Sequence, residues 1–290
     1  MRQLGFDKIL TQLGFNKPQI AAALGNVIGR MTQPASELAT HASLQHKTGL
    51  GELIGYDYEG MDLQRLYRSA DMLLKHRDAL ESHLFDGALS LFGLTETITL
   101  YDLTNTYFEG IAGGIKKAKR GRSKEKRSDC PLVTRAMVLD VSGFPKRSRI
   151  YDGNVSEAAT LEKMLQGLGA APGCTVVLEA VFRSLKTDLG LRPVYHQIDR
   201  RVEGHLFVSV LAYYLIHTIR LQLKAHGIDG SWEAIRNILS GQVRITNTLQ
   251  RRDGKTVHVR KTSRPEPAQQ NIYTALKLSA NPGGTHQTTM

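Results

Sequence analysis

The chain has 290 residues, 41% of them hydrophobic, enough to bury one large or two small domains and too apolar for a disordered polymer. Thirty-eight Lys and Arg against 27 Asp and Glu leave a formal charge of +11, which favours a polyanionic partner, nucleic acid before a membrane surface. Cys130 and Cys174 form neither a CxxC pair nor a zinc-spaced cluster, so a reduced, cytoplasmic protein with free thiols is expected.

Residues 1–94 read as helical. Phe6 to Leu13 and Pro18 to Met31 make a helix pair around Gly14-Phe15-Asn16-Lys17, and Leu63 to Lys75 and Asp78 to Phe85 follow, joined at His76-Arg77. The small-residue run Gln19 to Gly25 fits a helix-turn-helix reader or a plain bundle; the bundle is the reading adopted here. Met1 to Leu4 leads into no signal peptide.

At Thr95 the period changes to two. Ile98 and Leu100 alternate with Thr97 and Thr99, predicting a strand that runs into Tyr101-Asp102-Leu103-Thr104. Asp102 is then either a carboxylate at a strand end, where α/β enzymes place chemistry, or the cap of a turn with Thr104 and Asn105. Next comes a run holding Lys116, Lys117, Lys119, Arg120, Arg122, Lys124, Lys126 and Arg127 against Glu125 alone. So dense a single-sign run repels itself, which points to phosphate contact.

Leu132 to Asp140 and Lys146 to Tyr151 read as strands joined at Ser142-Gly143-Phe144-Pro145. Asp152-Gly153-Asn154 turns the chain into a helix from Ser156 to Leu168, with Ser156 as its cap. Thr175-Val176-Val177 reads as a buried strand leading, with no turn signal, into Leu178-Glu179-Ala180-Val181-Phe182-Arg183-Ser184-Leu185-Lys186. Glu179, Arg183 and Lys186 would share one helical face. An acid that can hold a divalent cation beside bases that can hold phosphates suits phosphodiester chemistry, although an ordinary amphipathic helix with an i,i+4 ion pair has the same spacing.

The apolar run Leu206 to Ile216 is broken by Ser209 and flanked by His205 and His217, here taken as packing or capping residues. It is too short to span a bilayer and predicts a buried helix from Gly204 to about Leu223, with no membrane partner. A helix from Trp232 to Leu239 and a hairpin, Gln242 to Gln250 with Lys255 to Arg260 around Asp253-Gly254, complete the ordered elements. The tail from Ser279, with Asn281-Pro282-Gly283-Gly284, is expected to be disordered.

Four segments carry a family resemblance: Tyr101 to Gly110, Asp129 to Val133, Asp152 to Glu157, and Glu179 to His196. In this order they resemble bacterial insertion-sequence transposases of the DDE type, the IS-four group and its 1634-like branch, from about Gly49 to about Ala275. The resemblance implies a ribonuclease H-like core in which Asp, Asp and Glu hold Mg2+ or Mn2+ to cut and join DNA. It makes Asp102 the first acid and Glu179 the last, both metal ligands. Arg183, Lys186, Lys116, Lys117, Lys119, Arg120 and Arg122 become DNA contacts.

The family signature Tyr-x2-Arg-x3-Glu-x6-Lys is kept only in its second half, by Glu179 and Lys186. Pro172 and Thr175 stand where Tyr and Arg belong. The strand that should carry the second Asp joins the Glu segment directly, as an internal deletion would leave it. The expectation is therefore an α/β protein: an incomplete ribonuclease H-like core over 95–225, truncated near 177–179. It follows a helical region over 1–94 and precedes a helix-hairpin extension over 226–290. Its partners would be transposon-end and target DNA, with a second copy or an intact transposase. It would be a catalytically defective transposase or, alternatively, a non-catalytic DNA-binding inhibitor of an intact one.

Overall fold

The computed structural model describes residues 1–94, 98–121, 129–166, 168, 175–178, 189, 194 and 196–289. They fall into two compact units, Met1–His41 with Asp62–His217, and Ala42–Met61 with Thr218–Met290.

The first unit is mixed α/β. Its sheet holds β1 (Ile98–Tyr107), β2 (Leu132–Asp140), β3 (Pro145–Asp152) and β4 (Thr175–Leu178) in the order β3-β2-β1-β4. The first three strands pair antiparallel, and β4 runs parallel to β1. All nine residues of β2 are buried, so the sheet needs cover on both faces. On one face lies α7 (Glu157–Leu165), capped by Ser156. Its Met164, with Leu161 and Leu165, packs on Tyr101, Leu103, Ala136 and Val138, and the Tyr101 hydroxyl meets Thr160.

The other face is covered by α5 (Leu63–Lys75), α6 (Arg77–Phe92) and the first part of α8 (Asp199–Lys224). Leu74, Leu206, Phe207 and Val210 approach Arg135, Ser148 and Ile150 there. Buried Glu81 of α6 accepts a hydrogen bond from Ser148 of β3, and Arg149 reaches Asp78 at 2.8 Å. Gly204 lets α8 approach α5, because a Cβ there would stand 3.1 Å from the Ala70 carbonyl oxygen.

The N-terminal helices α1 (Phe6–Gln12) and α2 (Lys17–Thr32) belong to this unit, with Asn16 and Gln19 forming a capping box at the start of α2. The Asn26 amide donates to the Leu66 carbonyl and to Ser69 Oγ, both at 2.8 Å, tying α2 to α5. Ala21 to Val27 are buried without a break, so the middle of α2 packs as a bundle helix does.

The second unit contains α4 (Leu50–Ile54), α9 (Trp232–Ser240) and α10 (Pro267–Ala275). Its sheet holds β5 (Arg244–Gln250), β6 (Thr256–Thr262) and β7 (His286–Thr289), ordered β5-β6-β7 and antiparallel throughout. Its buried apolar residues include Leu50, Tyr58, Leu223, Trp232, Ile235, Val257, Ile272 and Ala275.

Several expectations are corrected. The tail expected to be disordered supplies β7, because β6 offers a hydrogen-bonding edge that the local sequence does not announce. Helices α3 (Glu37–His46) and α4 lie in the stretch read as helical without being placed one by one, and α10 is not announced by the sequence. Helix α6 runs on to Phe92 rather than ending at Phe85, and α8 begins at Asp199 rather than Gly204. Among the described residues α8 is the one helix long and apolar enough to cross a membrane. Its most apolar window is 72% buried, so that surface serves a protein core. The helix expected around Glu179 to Lys186 lies outside the described residues.

At the end of β3 the chain is tightly packed. Lys119 exchanges two backbone hydrogen bonds with Leu132, at 2.8 and 3.0 Å, and the Gly153 amide donates to the Lys117 carbonyl. A Cβ on Gly153 would lie 2.1 Å from the Leu132 carbonyl oxygen and 2.5 Å from that of Lys119. Gly153→Ala is therefore expected to lower stability by about 1–3 kcal/mol through overpacking, read by urea denaturation; an unchanged midpoint would mean the segment docks differently.

Candidate functional site

Asp102 is the fifth residue of β1, in register with Met137 of β2, and the strand continues to Tyr107. It thus sits mid-strand rather than at the strand end expected for it. Strand β4 pairs with β1 from Ile98↔Thr175 to Tyr101↔Leu178. The register stops one residue short of Asp102 on one strand and of Glu179 on the other. Glu179, Arg183, Lys186 and Arg122 lie outside the described residues. Of the remaining predicted DNA contacts, Lys116, Lys119 and Arg120 are exposed, whereas Lys117 Nζ lies 2.6 Å from Glu203 and 3.0 Å from the Ile150 carbonyl. Its charge is met inside the protein.

The structure brings together a different cluster. Glu37 in the first turn of α3, His205 in α8 and His196 just before α8 converge, with Arg30 arriving from the last turn of α2. Glu37 lies 2.9 Å from His196 Nε2 and 2.9 Å from His205 Nδ1. Arg30 Nη2 lies 2.9 Å from His205 Nδ1 and 3.0 Å from its Nε2. Arg30, Glu37 and His205 are all buried. The Tyr67 ring stands edge-on to His196, and the Arg201 guanidinium lies over the Tyr67 ring, 4.8 Å from its centre.

The electrostatics follow from burial and pairing. Burial works to raise the Glu37 pKa, but hydrogen bonds from His196 and His205 overcome it and hold the carboxyl below the usual carboxylate range. Burial pulls His205 down to about 4, helped by the Arg30 charge and opposed by Glu37. Burial also lowers the Arg30 guanidinium, opposed by Glu37. At neutral pH His205 is therefore neutral. The tautomer that serves both neighbours puts the proton on Nδ1, donating to Glu37, and leaves Nε2 to accept from Arg30.

Two histidines and a glutamate are donors of the zinc type, and their ligand atoms lie within 4.8 Å of one another. They do not suit Mg2+ or Mn2+, which favour oxygen donors. Arg30 moreover already supplies the counter-charge, and a cation bound at His205 Nδ1 would force a proton onto Nε2 to face the guanidinium. The arrangement is a buried relay of charged and hydrogen-bonding groups joining α2, α3 and α8. Sequence reasoning missed it because Arg30, Glu37, His196 and His205 are far apart in the chain. The one local hint was a histidine entering an apolar run.

In the second unit a cleft of about 670 Å³ is lined by Glu52, Tyr56, Tyr58, His258, Arg260 and His286, among others. Glu52 is taken up there by Arg244 at 2.5 Å and Arg260 at 2.6 Å, so its strongest charges neutralise one another.

No protein-family model, no curated protein and no solved structure matches this chain.

Two outcomes follow for the relay. Glu37→Ala leaves Arg30 buried without its counter-charge and is expected to lose about 3–5 kcal/mol in urea denaturation at pH 7; a loss below 1 kcal/mol would show the relay to be slack. Between pH 6.5 and 4 the unfolded chain binds a proton that folded His205 refuses, so this group destabilises the fold progressively as pH falls. Glu81, raised by burial to about 7, acts in the opposite direction between pH 4.5 and 7, because there the folded chain holds the extra proton. The whole-protein profile thus conceals His205. Compared with wild type, the stability deficit of His205→Gln is expected to shrink by about 2 kcal/mol between pH 7 and pH 5.

Proposed function

We propose that this chain derives from an insertion-sequence transposase of the DDE type and keeps DNA binding without strand cleavage. The observation that carries the reading is the register of β1 and β4. The strand bearing Asp102 and the strand leading into Glu179 are parallel neighbours, paired up to the residue before each acid. The resemblance assigns both acids to a divalent cation, Mg2+ or Mn2+, and a strand, helix, strand succession of β3, α7 and β4 is the order it calls for.

The same register supports the defect. Strand β4 reaches Leu178 with Glu179 next in the chain, so no interval is left for a second Asp with its own following helix, or for the missing Tyr and Arg. Clamping the attacking and leaving oxygens of a phosphodiester takes closely clustered carboxylates, and two are too few for a pair of cations. What remains is charge. The net +11, with exposed Lys116, Lys119 and Arg120 at the start of the basic run, supplies affinity for phosphates that is independent of sequence.

The test is mobility shift and nicking of labelled duplexes taken from the DNA flanking the reading frame, with Mn2+ present. The expected result is a salt-sensitive shift and no nick, the shift being unaltered in Asp102→Asn. Nicking that disappears in both Asp102→Asn and Glu179→Gln would show an intact active centre, and absence of any shift would remove DNA as the partner.

A further inference from the structure

We propose that the β5–β6 ribbon of the second unit is a duplex-DNA-binding arm whose tip, Arg251 to Lys255, contacts phosphates; the proposal rests on the DNA-binding reading above and assigns it a surface. Strand β5 is exposed at six consecutive positions, Ile245 to Gln250, so it turns both faces to solvent and contributes little to a core. Strand β6 is the middle strand of its sheet, paired with β7 from Val257 to Arg260, which leaves the turn beyond Val257 outside that pairing. The base of the ribbon is held, and the basic residues divide accordingly.

At the base Arg244 and Arg260 are occupied. Glu52 pairs with Arg244 and Arg260, Arg244 Nη1 donates to the Pro282 carbonyl at 2.7 Å, and Arg260 Nε donates to Thr246 at 2.9 Å. Gln242 adds hydrogen bonds to the Ser263 and Ala280 carbonyls. At the tip the turn is closed by the Arg251 amide donating to the Lys255 carbonyl at 2.8 Å. Arg251 pairs only with Asp253, which lies within the same turn and is 44% exposed. Among the described residues Arg252 and Lys255 at the tip have no acidic partner, nor do Lys261 and Arg264 on the base side, and all four are exposed.

From Arg244 to Arg264 there are seven basic residues and one acidic residue. The ribbon therefore carries a net positive charge on an element that the fold anchors at one end and leaves bare at the other. Between base and tip, Asn247, Thr248 and Gln250 present hydrogen-bonding side chains on the exposed strand. Fixed cations on an exposed turn beyond the β7 pairing are placed to contact the backbone phosphates of the duplex DNA proposed above, contacts that position a protein without reading sequence.

The experiment is fluorescence anisotropy of the full chain with a 30-base-pair duplex from 50 to 200 mM salt, comparing wild type with the double variant Arg252→Ala, Lys255→Ala. Two lost phosphate contacts should reduce the slope of log affinity against log salt by about 1.8 and weaken binding about tenfold at 50 mM salt. Both residues are exposed and unpaired, so the melting temperature should not move. A double variant with unchanged affinity and slope, beside a wild type that binds, would overturn the arm and leave the DNA-binding reading intact. A wild type that binds no duplex would overturn that reading first. Equal binding to duplex RNA, or loss of self-association rather than of DNA binding in the variant, would also overturn the arm.

Discussion

The first unit depends on one constraint, a strand with no wet side. Nine consecutive residues of β2 are buried, including Thr134, Arg135 and Asp140. A strand of this kind must be hydrogen-bonded along both edges and covered on both faces, because unpaired backbone groups and bare apolar side chains each cost free energy there. Strands β1 and β3 meet the first demand. Helix α7 on one side, and α5, α6 and α8 on the other, meet the second. Phe144 at the β2–β3 turn extends the core outward, with Phe92, Tyr214 and His217 around it.

Burying polar groups in such a core is expensive unless each finds a partner. The molecule handles this by pairing charges across elements that are distant in the chain. Glu81 of α6 meets Ser148 and Arg149 of β3, and Glu37 of α3 meets His196 and His205 beside Arg30. Such contacts add little net stability, since desolvation offsets attraction. They do penalise any packing in which one partner is left alone, and so they specify which helix lies against which.

Charge is thereby sorted into two populations. Lys117, Arg30, Arg244 and Arg260 have acidic or histidine partners and belong to the fold. Lys116, Lys119, Arg120, Arg252, Lys255 and Lys261 stand in solvent. A +11 chain owes its attraction for polyanions to the second group, because a paired cation has little field left to offer. Residue type alone cannot separate the two, as Lys117 within the basic run shows.

Much of the secondary structure was legible locally. β2 begins and ends where its β-branched and apolar run does, the Leu63–Lys75 helix follows its apolar stripe, and the Ser156 cap marks a helix start. Signals of this kind reside in adjacent residues, so the sequence alone determined them, together with the mixed α/β class and the excess of positive charge. Other features need partners that no local window contains. Strand β7 exists because β6 presents an edge, Gly153 is required because Leu132 and Lys119 close around it, and the Glu37 relay forms only when three helices meet. The order β3-β2-β1-β4, which puts the strand leading to Glu179 beside the strand of Asp102, was also decided by tertiary structure. Parallel pairing joins segments that the chain itself holds more than 70 residues apart.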